Sequence, residues 1–299
     1  MVNTGNDGDT WLRPISAPSG PAGRAGRGES FERGGCLVRP EVKLGEIVQR
    51  RPPGVTGHQW NTATRTPFDF VVCDGGTYAP LFAVEFADPG LPTSETRRSR
   101  RMTDAVCEAV GLELLRVESS TLGAGRQSRR IVEYVIDARV FTDATADPEE
   151  TAGQPLGYRD IIGRLPDGRS GFVNDLGAVA RVTAVDAYAS RQVADPIIRG
   201  LHVSWKNGPA EGWAWLEVRD GLCIFERTRI WQHRFSCGVA PDRLAEDFAV
   251  AAVGEQLRLL ELGEPELQDK KRLGQEFERL RGRRDEMDGE FAFDHVCFD

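Results

Sequence analysis

The alternation of apolar and polar positions first becomes regular at Cys36, where Leu37, Val38, Val42 and Leu44 predict a strand interrupted by Pro40, as suits a sheet edge. The stretch from Arg50 to Thr66 is polar and carries Pro52, Pro53, Gly54 and Gly57, so it predicts a loop. Two stronger strands follow, Phe68–Cys73 and Leu81–Phe86, joined by Asp74, Gly75, Gly76 and Thr77, which is hairpin chemistry. Met102, Ala105, Val106 and Ala109 make the buried stripe of a helix over Ser94–Val110, with Gly111 as its C-cap. Leu112, Leu114, Leu115 and Val117 predict the next strand, and a second helix runs over about Ser128–Val140. Strand, hairpin, helix, strand, helix is the order of an α/β domain with a mixed sheet.

Beyond it, residues 143–157 read as a linker. Short strands are then predicted near Ala178–Val185, at His202–Trp205, at Trp213–Val218, at Leu222–Phe225 and at Ile230–Phe235. Asp220 and Gly221, lying between two alternating runs, predict a type I′ turn. Pro241 opens a helix through about Leu260, and a last, highly charged helix over about Pro265–Met287 has Leu273, Phe277 and Leu280 on one narrow stripe. Residues 1–33 offer no hydrophobic period to offset the entropy of ordering, so they read as a disordered tail, with Trp11 and Leu12 as a small docking spot. The expected organisation is a tail at 1–33, an α/β domain at 34–142, a linker at 143–157, and a smaller β-rich domain at 158–299 that ends in two helices.

Composition narrows this picture. A chain of 299 residues buries two cores without disulfides or metals. Its net charge of −8 argues against a general basic coat, so any contact with phosphate must be local. The lysines are confined to Lys43, Lys206, Lys270 and Lys271, and every other basic residue apart from histidine is arginine. Cys36, Cys73, Cys107, Cys223, Cys237 and Cys297 stand singly among apolar residues and read as reduced core thiols of a cytoplasmic protein. No apolar run reaches membrane-spanning length, and the N-terminus lacks the order of a signal peptide, so no membrane association is expected.

Candidate chemistry lies in the hairpin. Residues two apart on a strand share a face, so Asp69, Val71 and Cys73 point one way and Leu81, Ala83, Glu85 and Ala87 share a face of the next strand. With the loop centred on Thr77, Asp69 falls opposite Glu85, within the roughly 5 Å Cβ spacing of a cross-strand pair. Two bare carboxylates at that range repel, and a hard divalent cation such as Mg²⁺, or Mn²⁺, relieves the conflict and can activate a water against a phosphodiester. The plain alternative is two unrelated acids on the wet faces of their strands.

The strings FDFVVCD (68–74) and LFAVEFAD (81–88), followed by the helix and GLELLRVESSTL (111–122), resemble an uncharacterised bacterial domain family of the PD-(D/E)xK nuclease superfamily, near the Vsr-like repair endonucleases. The resemblance covers residues 36–122. It implies a restriction-endonuclease-like fold in which Asp69 and Glu85 are catalytic and bind the metal. The superfamily carries a lysine or another polar residue two positions after the Glu, where this chain has Ala87. Lys43, on the preceding strand, is then the candidate third catalytic residue.

Arg97, Arg98, Arg100 and Arg101, with Arg126, Arg129 and Arg130 further on, form the most basic stretch; Arg97, Arg98 and Arg101 are the candidate nucleic-acid contacts, with a solvated face paired to Glu95, Glu108 and Glu118 as the alternative. Cys223, His233, Cys237, His295 and Cys297 match no compact zinc spacing. Trp205, Trp213, Trp215 and Trp231 suit either a base-stacking platform or, more simply, a small core. The narrow stripe of the last helix suits self-association or a protein partner as well as packing at home. The expected function is a metal-dependent nuclease acting on nucleic acid, DNA before RNA. Its alternative is a catalytically silent nuclease-fold module for nucleic-acid binding or protein assembly in bacterial defence or repair.

Overall fold

The computed structural model describes residues 11–16, 29–90, 93–123, 125–144, 162–164, 170–172, 176–263 and 265–288. It is mixed α/β and divides into two compact units, Met1–Arg116 with Gln232–Ser236, and Val117–Trp231 with Cys237–Asp299. Residues 145–161, which hold most of the span read as a linker, lie outside the described residues.

In the first unit, β1 (Phe31–Arg33) pairs antiparallel with β2 (Cys36–Lys43), which pairs antiparallel with β3 (Pro67–Asp74). Between β2 and β3 lie the short α1 (Leu44–Ile47), which begins at a leucine read as strand, and α2 (Gly57–Ala63), inside the Arg50–Thr66 span read as a loop. Thr56 starts α2: its Oγ1 accepts the Gln59 N–H at 3.2 Å, while Gln59 Oε1 takes the Thr56 N–H at 2.8 Å, a reciprocal capping box.

Antiparallel β4 (Pro80–Ala87) follows β3 across a hairpin held by Asp74, whose Oδ1 accepts from the Thr77 N–H and Oγ1, both at 2.7 Å, and from Gly76 N–H at 3.1 Å. These bonds hold the Asp74 carboxyl below its usual range. Next comes α3 (Ser94–Val110), capped by Thr93 at its start and at its end by Gly111, which at φ +72° takes the left-handed conformation that glycine tolerates. β5 (Glu113–Glu118) then lies beside β4, so the strand order here is β1-β2-β3-β4-β5. Val71, Cys73 and Ala83 form one core with Val106, Cys107 and Val110 of α3 and with Leu112 and Leu114.

Within the span read as a disordered tail, residues 11–16 run along α1. Leu12 bridges Val48, the Arg13 N–H reaches Ile47 O at 2.9 Å, and Ile15 is buried in the same core. The Arg13 guanidinium donates to the carbonyls of Gly45 and Glu46, which the end of a four-residue helix leaves exposed.

The second unit opens with the end of β5 and α4 (Gly125–Ala144), then the two-stranded β6 (Ile162–Arg164) and β7 (Ser170–Phe172). α5 (Leu176–Ala189) stands where a strand over Ala178–Val185 was expected. The valines there favour a strand, but Ala180, Ala184 and Ala187 recur at helical spacing, and those small residues are the ones buried.

β8 (Arg199–Trp205), β9 (Ala210–Arg219) and β10 (Leu222–His233) form an antiparallel meander, so the two strands expected at Leu222–Phe225 and Ile230–Phe235 are one. The β9–β10 turn is not type I′: of Asp220 and Gly221, Gly221 alone has positive φ, at +72°, and the register shifts between Leu222 and Cys223, the mark of a bulged hairpin. α6 (Pro241–Leu259), β11 (Gln268–Asp269), α7 (Lys270–Arg281) and β12 (Met287–Asp288) complete the unit.

One face of the meander carries Ala214, Leu216, Val218 and Ile224 against Ala249, Val250 and Val253 of α6. The other carries Leu201, Val203, Trp213 and Trp215 against Leu273, Phe277 and Leu280 of α7, with the Phe277 ring 5.4 Å and 5.0 Å from the two tryptophans. The narrow stripe of α7 is thus buried within its own chain, and Trp213 and Trp215 are core residues, while Trp231 is exposed.

At Gly212 on β9 an added Cβ would lie 2.2 Å from the Ala245 backbone of α6, so helix and sheet touch main chain to main chain. Gly212→Ala is expected to force them apart and destabilise the protein by about 1–3 kcal/mol, read as a lower urea midpoint with an unchanged slope.

Candidate functional site

The register of the hairpin is the expected one: Phe70 faces Val84, Val71 faces Ala83 and Val72 faces Phe82, so the next step outward sets Asp69 beside Glu85. Both continue the face that α3 covers, where Val71 and Ala83 are core. The Asp69 carboxylate accepts the Phe86 N–H through Oδ2 at 2.7 Å, which ties it to the strand carrying Glu85.

Glu85 meets a residue that the sequence reading passed over. Arg116, on β5, follows Leu112 and Leu114 at period two and therefore lies on the same inner face. Its Nε donates to Glu85 Oε2 at 2.7 Å and its Nη2 to Asp104 Oδ1, on α3, at 3.1 Å. The exposures of these side chains are 8% for Arg116, 15% for Glu85 and 35% for Asp104. Burial pushes the Glu85 carboxyl up, and Arg116 pulls it back only in part. Burial also works against the Arg116 cation, but the charges of Glu85 and Asp104 outweigh it and hold the guanidinium above its usual value.

The other predicted residues lie apart. Lys43 is exposed at the end of β2, opposite Pro67 and two positions short of Asp69. Ala87 ends β4, half-buried, with a side chain that can neither ligate nor donate. Arg97, Arg98 and Arg101 are exposed on the N-terminal half of α3, and none forms an ion pair among the described residues; Arg98 Nη2 lies 3.1 Å from His58 Nε2. Arg129 and Arg130, on α4, are instead paired with Glu133 at 2.8 Å and Glu255 at 2.9 Å. Glu108, offered as a partner of the α3 arginines, pairs with His233 at 2.8 Å.

Two carboxylates on neighbouring strands are donors that Mg²⁺ or Mn²⁺ could use. As arranged they do not fit that ion. Glu85 already has a cation, Asp69 is capped by a backbone N–H, and among the described residues no three His, Cys, Asp or Glu side chains group as a metal site. The zinc alternative fares no better: Cys223 and Cys237 are buried, and burial pushes the Cys223 thiol up to about 11, while His295 and Cys297 lie outside the described residues.

The second unit holds two buried carboxylates of its own. Glu211 accepts from Trp213 Nε1 at 2.6 Å and pairs with Arg227 at 2.8 Å and Arg229 at 2.9 Å. Glu226 has hydroxyl neighbours instead of a cation: Thr121 Oγ1 donates to it at 2.6 Å and accepts from Gln256 Nε2 at 2.9 Å. Burial pushes the Glu226 carboxyl up, against hydrogen bonds from Thr121, Gln256 and Ser120.

A family model described as "Protein of unknown function (DUF2726)" matches residues 33–135, about a third of the chain. No curated protein and no solved structure matches it. No helix among the described residues is long and apolar enough to cross a membrane.

Arg116→Met strands a buried Glu85 and is expected to cost about 3–5 kcal/mol at neutral pH, measured by urea denaturation. The stranded carboxyl has a raised folded pKa, so its neutral form is the stable one. The deficit should therefore be small below the ordinary carboxylate range and grow as pH rises through the raised value, and adding Glu85→Gln should restore much of the loss. The same sign applies to Glu226: the stability it leaves intact at low pH is lost as pH rises through its raised pKa. Glu226→Gln should thus stabilise the protein at pH 7 and flatten its pH profile between pH 4 and 8.

Proposed function

We propose that residues 33–135 form a nucleic-acid-binding module of the restriction-endonuclease-like kind, in which an arginine closes the carboxylate pair and no metal is needed. The observation that carries the reading is Arg116, bonded to Glu85 and Asp104 at once. A guanidinium already supplies the positive charge that would otherwise call for a divalent cation. Because arginine stays protonated, it cannot act as a base toward water.

Support for a nucleic-acid ligand comes from α3. In a chain of net charge −8, Arg97, Arg98 and Arg101 stand exposed on one helix without an ion-pair partner among the described residues. Unpaired arginines of this kind can take phosphate oxygens in bidentate fashion, and releasing counterions from the phosphates drives binding. Cations paired at home, such as Arg129 and Arg130, would have to break an existing bond first.

The nuclease reading draws on a different observation, the placing of Asp69 one register step from Phe70 and Val84, and hence beside Glu85. It requires Arg116 to leave Glu85 before a Mg²⁺ or Mn²⁺ ion could bind there. Lys43 would have to turn inward to the pair from its exposed place opposite Pro67.

Fluorescence anisotropy with labelled single- and double-stranded DNA and RNA, in EDTA and across 50–200 mM salt, separates the readings. Binding is expected without metal, with a log–log salt slope that falls by about 2–3 when Arg97, Arg98 and Arg101 are all changed to alanine. Binding that is absent, or indifferent to the triple change, removes the nucleic-acid assignment. Cleavage in Mg²⁺ or Mn²⁺ that disappears in both Asp69→Ala and Glu85→Ala would restore the nuclease.

A further inference from the structure

The tryptophans of the second unit divide by what lies against them. Trp213 and Trp215 are core, and the Arg283 guanidinium stands 4.1 Å over the ring of Trp205. Trp231 is 41% exposed, and no ring or cation packs on it among the described residues.

The strand that carries Trp231 places two cations beside it. On β10, Glu226, Thr228 and Ile230 turn into the core, so Phe225, Arg227, Arg229 and Trp231 line the opposite face at period two. Phe225 packs with Trp213 at the covered end of this stripe. From there the stripe opens to solvent, through Arg227 and Arg229 with side chains 34% and 30% exposed, to the indole of Trp231.

Buried Glu211 fixes the two guanidiniums. It lies opposite Arg229 on β9 and accepts from Arg229 Nε at 2.9 Å and from Arg227 Nη2 at 3.2 Å. One carboxylate faces two guanidiniums, which leaves a positive charge over in a chain of net charge −8. The bonds to Glu211 use the Nε of Arg229 and one edge of Arg227. Both Nη groups of Arg229 and the Nη1 of Arg227 keep N–H donors with no partner among the described residues. Unlike Arg129 and Arg130, these two arginines need break no bond to take an anion, and Glu211 has already paid the entropy of ordering them.

We infer that the stripe Arg227, Arg229 and Trp231 is a binding site for extended single-stranded nucleic acid. Residues two apart on a strand lie about 6.8 Å apart, comparable to the step between successive phosphates of a stretched single strand. The two guanidiniums meet neighbouring phosphates, and the indole stacks on a base beside them. A duplex keeps its bases stacked on one another and offers no open face to Trp231. An acidic peptide satisfies the arginines but gives the indole nothing to stack on. The site shares no residue with α3 and is independent of the arginines there.

Fluorescence anisotropy of labelled oligo-dT with the full chain carrying Arg97→Ala/Arg98→Ala/Arg101→Ala isolates the site, because those changes take α3 out of the count. In EDTA at low salt, binding is expected to persist in this background and to favour the single strand over the same oligonucleotide annealed to oligo-dA. Adding Trp231→Ala should weaken it by about 5- to 150-fold, while Trp231→Phe keeps most of the affinity. Arg229→Gln should lower the log–log salt slope by about 0.7, with Arg227 still serving Glu211. Because Trp231 is exposed, its variants should keep the circular dichroism and urea midpoint of their parent, which separates loss of ligand from loss of fold. Oligo-dT that fails to bind in the α3-variant background overturns this inference and leaves the role of α3 intact. So does binding that Trp231→Ala leaves unchanged, or an equal affinity for the duplex. Labelled poly-glutamate that binds as tightly as oligo-dT, and is indifferent to Trp231→Ala, would make the occupant an acidic peptide and overturn it as well.

Discussion

The first unit turns on a single buried charge. β4 brings Glu85 to the inner face of the sheet, and burial there disfavours its ionised form. Arg116 on β5 and Asp104 on α3 answer that charge together, so two strands and the covering helix are joined by one guanidinium. Removing both charges for well-packed apolar groups would cost little, whereas removing either alone leaves the other exposed to the full penalty of desolvation. What the pair contributes is therefore arrangement more than net stability. It sets where α3 ends up over the hairpin, and with it the direction in which Arg97, Arg98 and Arg101 present their charge.

Much of this unit could be read from pattern alone. The helix predicted over Ser94–Val110 has those bounds in the structure, because a cap, an apolar stripe and a terminal glycine all agree there. The hairpin register that sets Asp69 beside Glu85 followed from a period of two and a loop centred on Thr77. α2 was missed although Thr56 and Gln59 spell a capping box, because the neighbouring prolines and glycines weigh towards a loop. α5 was misread because valine favours strands in general, and only the spacing of the alanines reveals which face is buried.

Arg116 shows what a search for motifs overlooks. Phosphodiester chemistry points to acidic residues and lysine for catalysis and to exposed arginines for phosphate, and a buried arginine on a core strand fits neither pattern. The parity of Leu112, Leu114 and Arg116 was enough to place an arginine on the inner face beside an inward-facing Glu85. Counting charges on the core face of each strand, whatever their type, would have found the pair. Asp104 was harder to see, because a helix carries many acids, and which of them turns inward depends on the rotation that tertiary packing selects.

The second unit solves the problem of buried acids twice, by opposite means. Glu211 is surrounded by arginines and indole N–H groups, while Glu226 has hydroxyls and an amide around it and its carboxyl is pushed up by burial. Close approach governs the rest of the unit, with Gly212 against α6 and Gly254 against Ala180. Where elements meet through main chain and methyl groups, as at these two glycines, little void is left to close. The layer of α5, α6 and β9 should therefore behave as a stiff plate of low compressibility, one that responds to pressure or to a bound partner by tilting as a whole and not by rearranging inside.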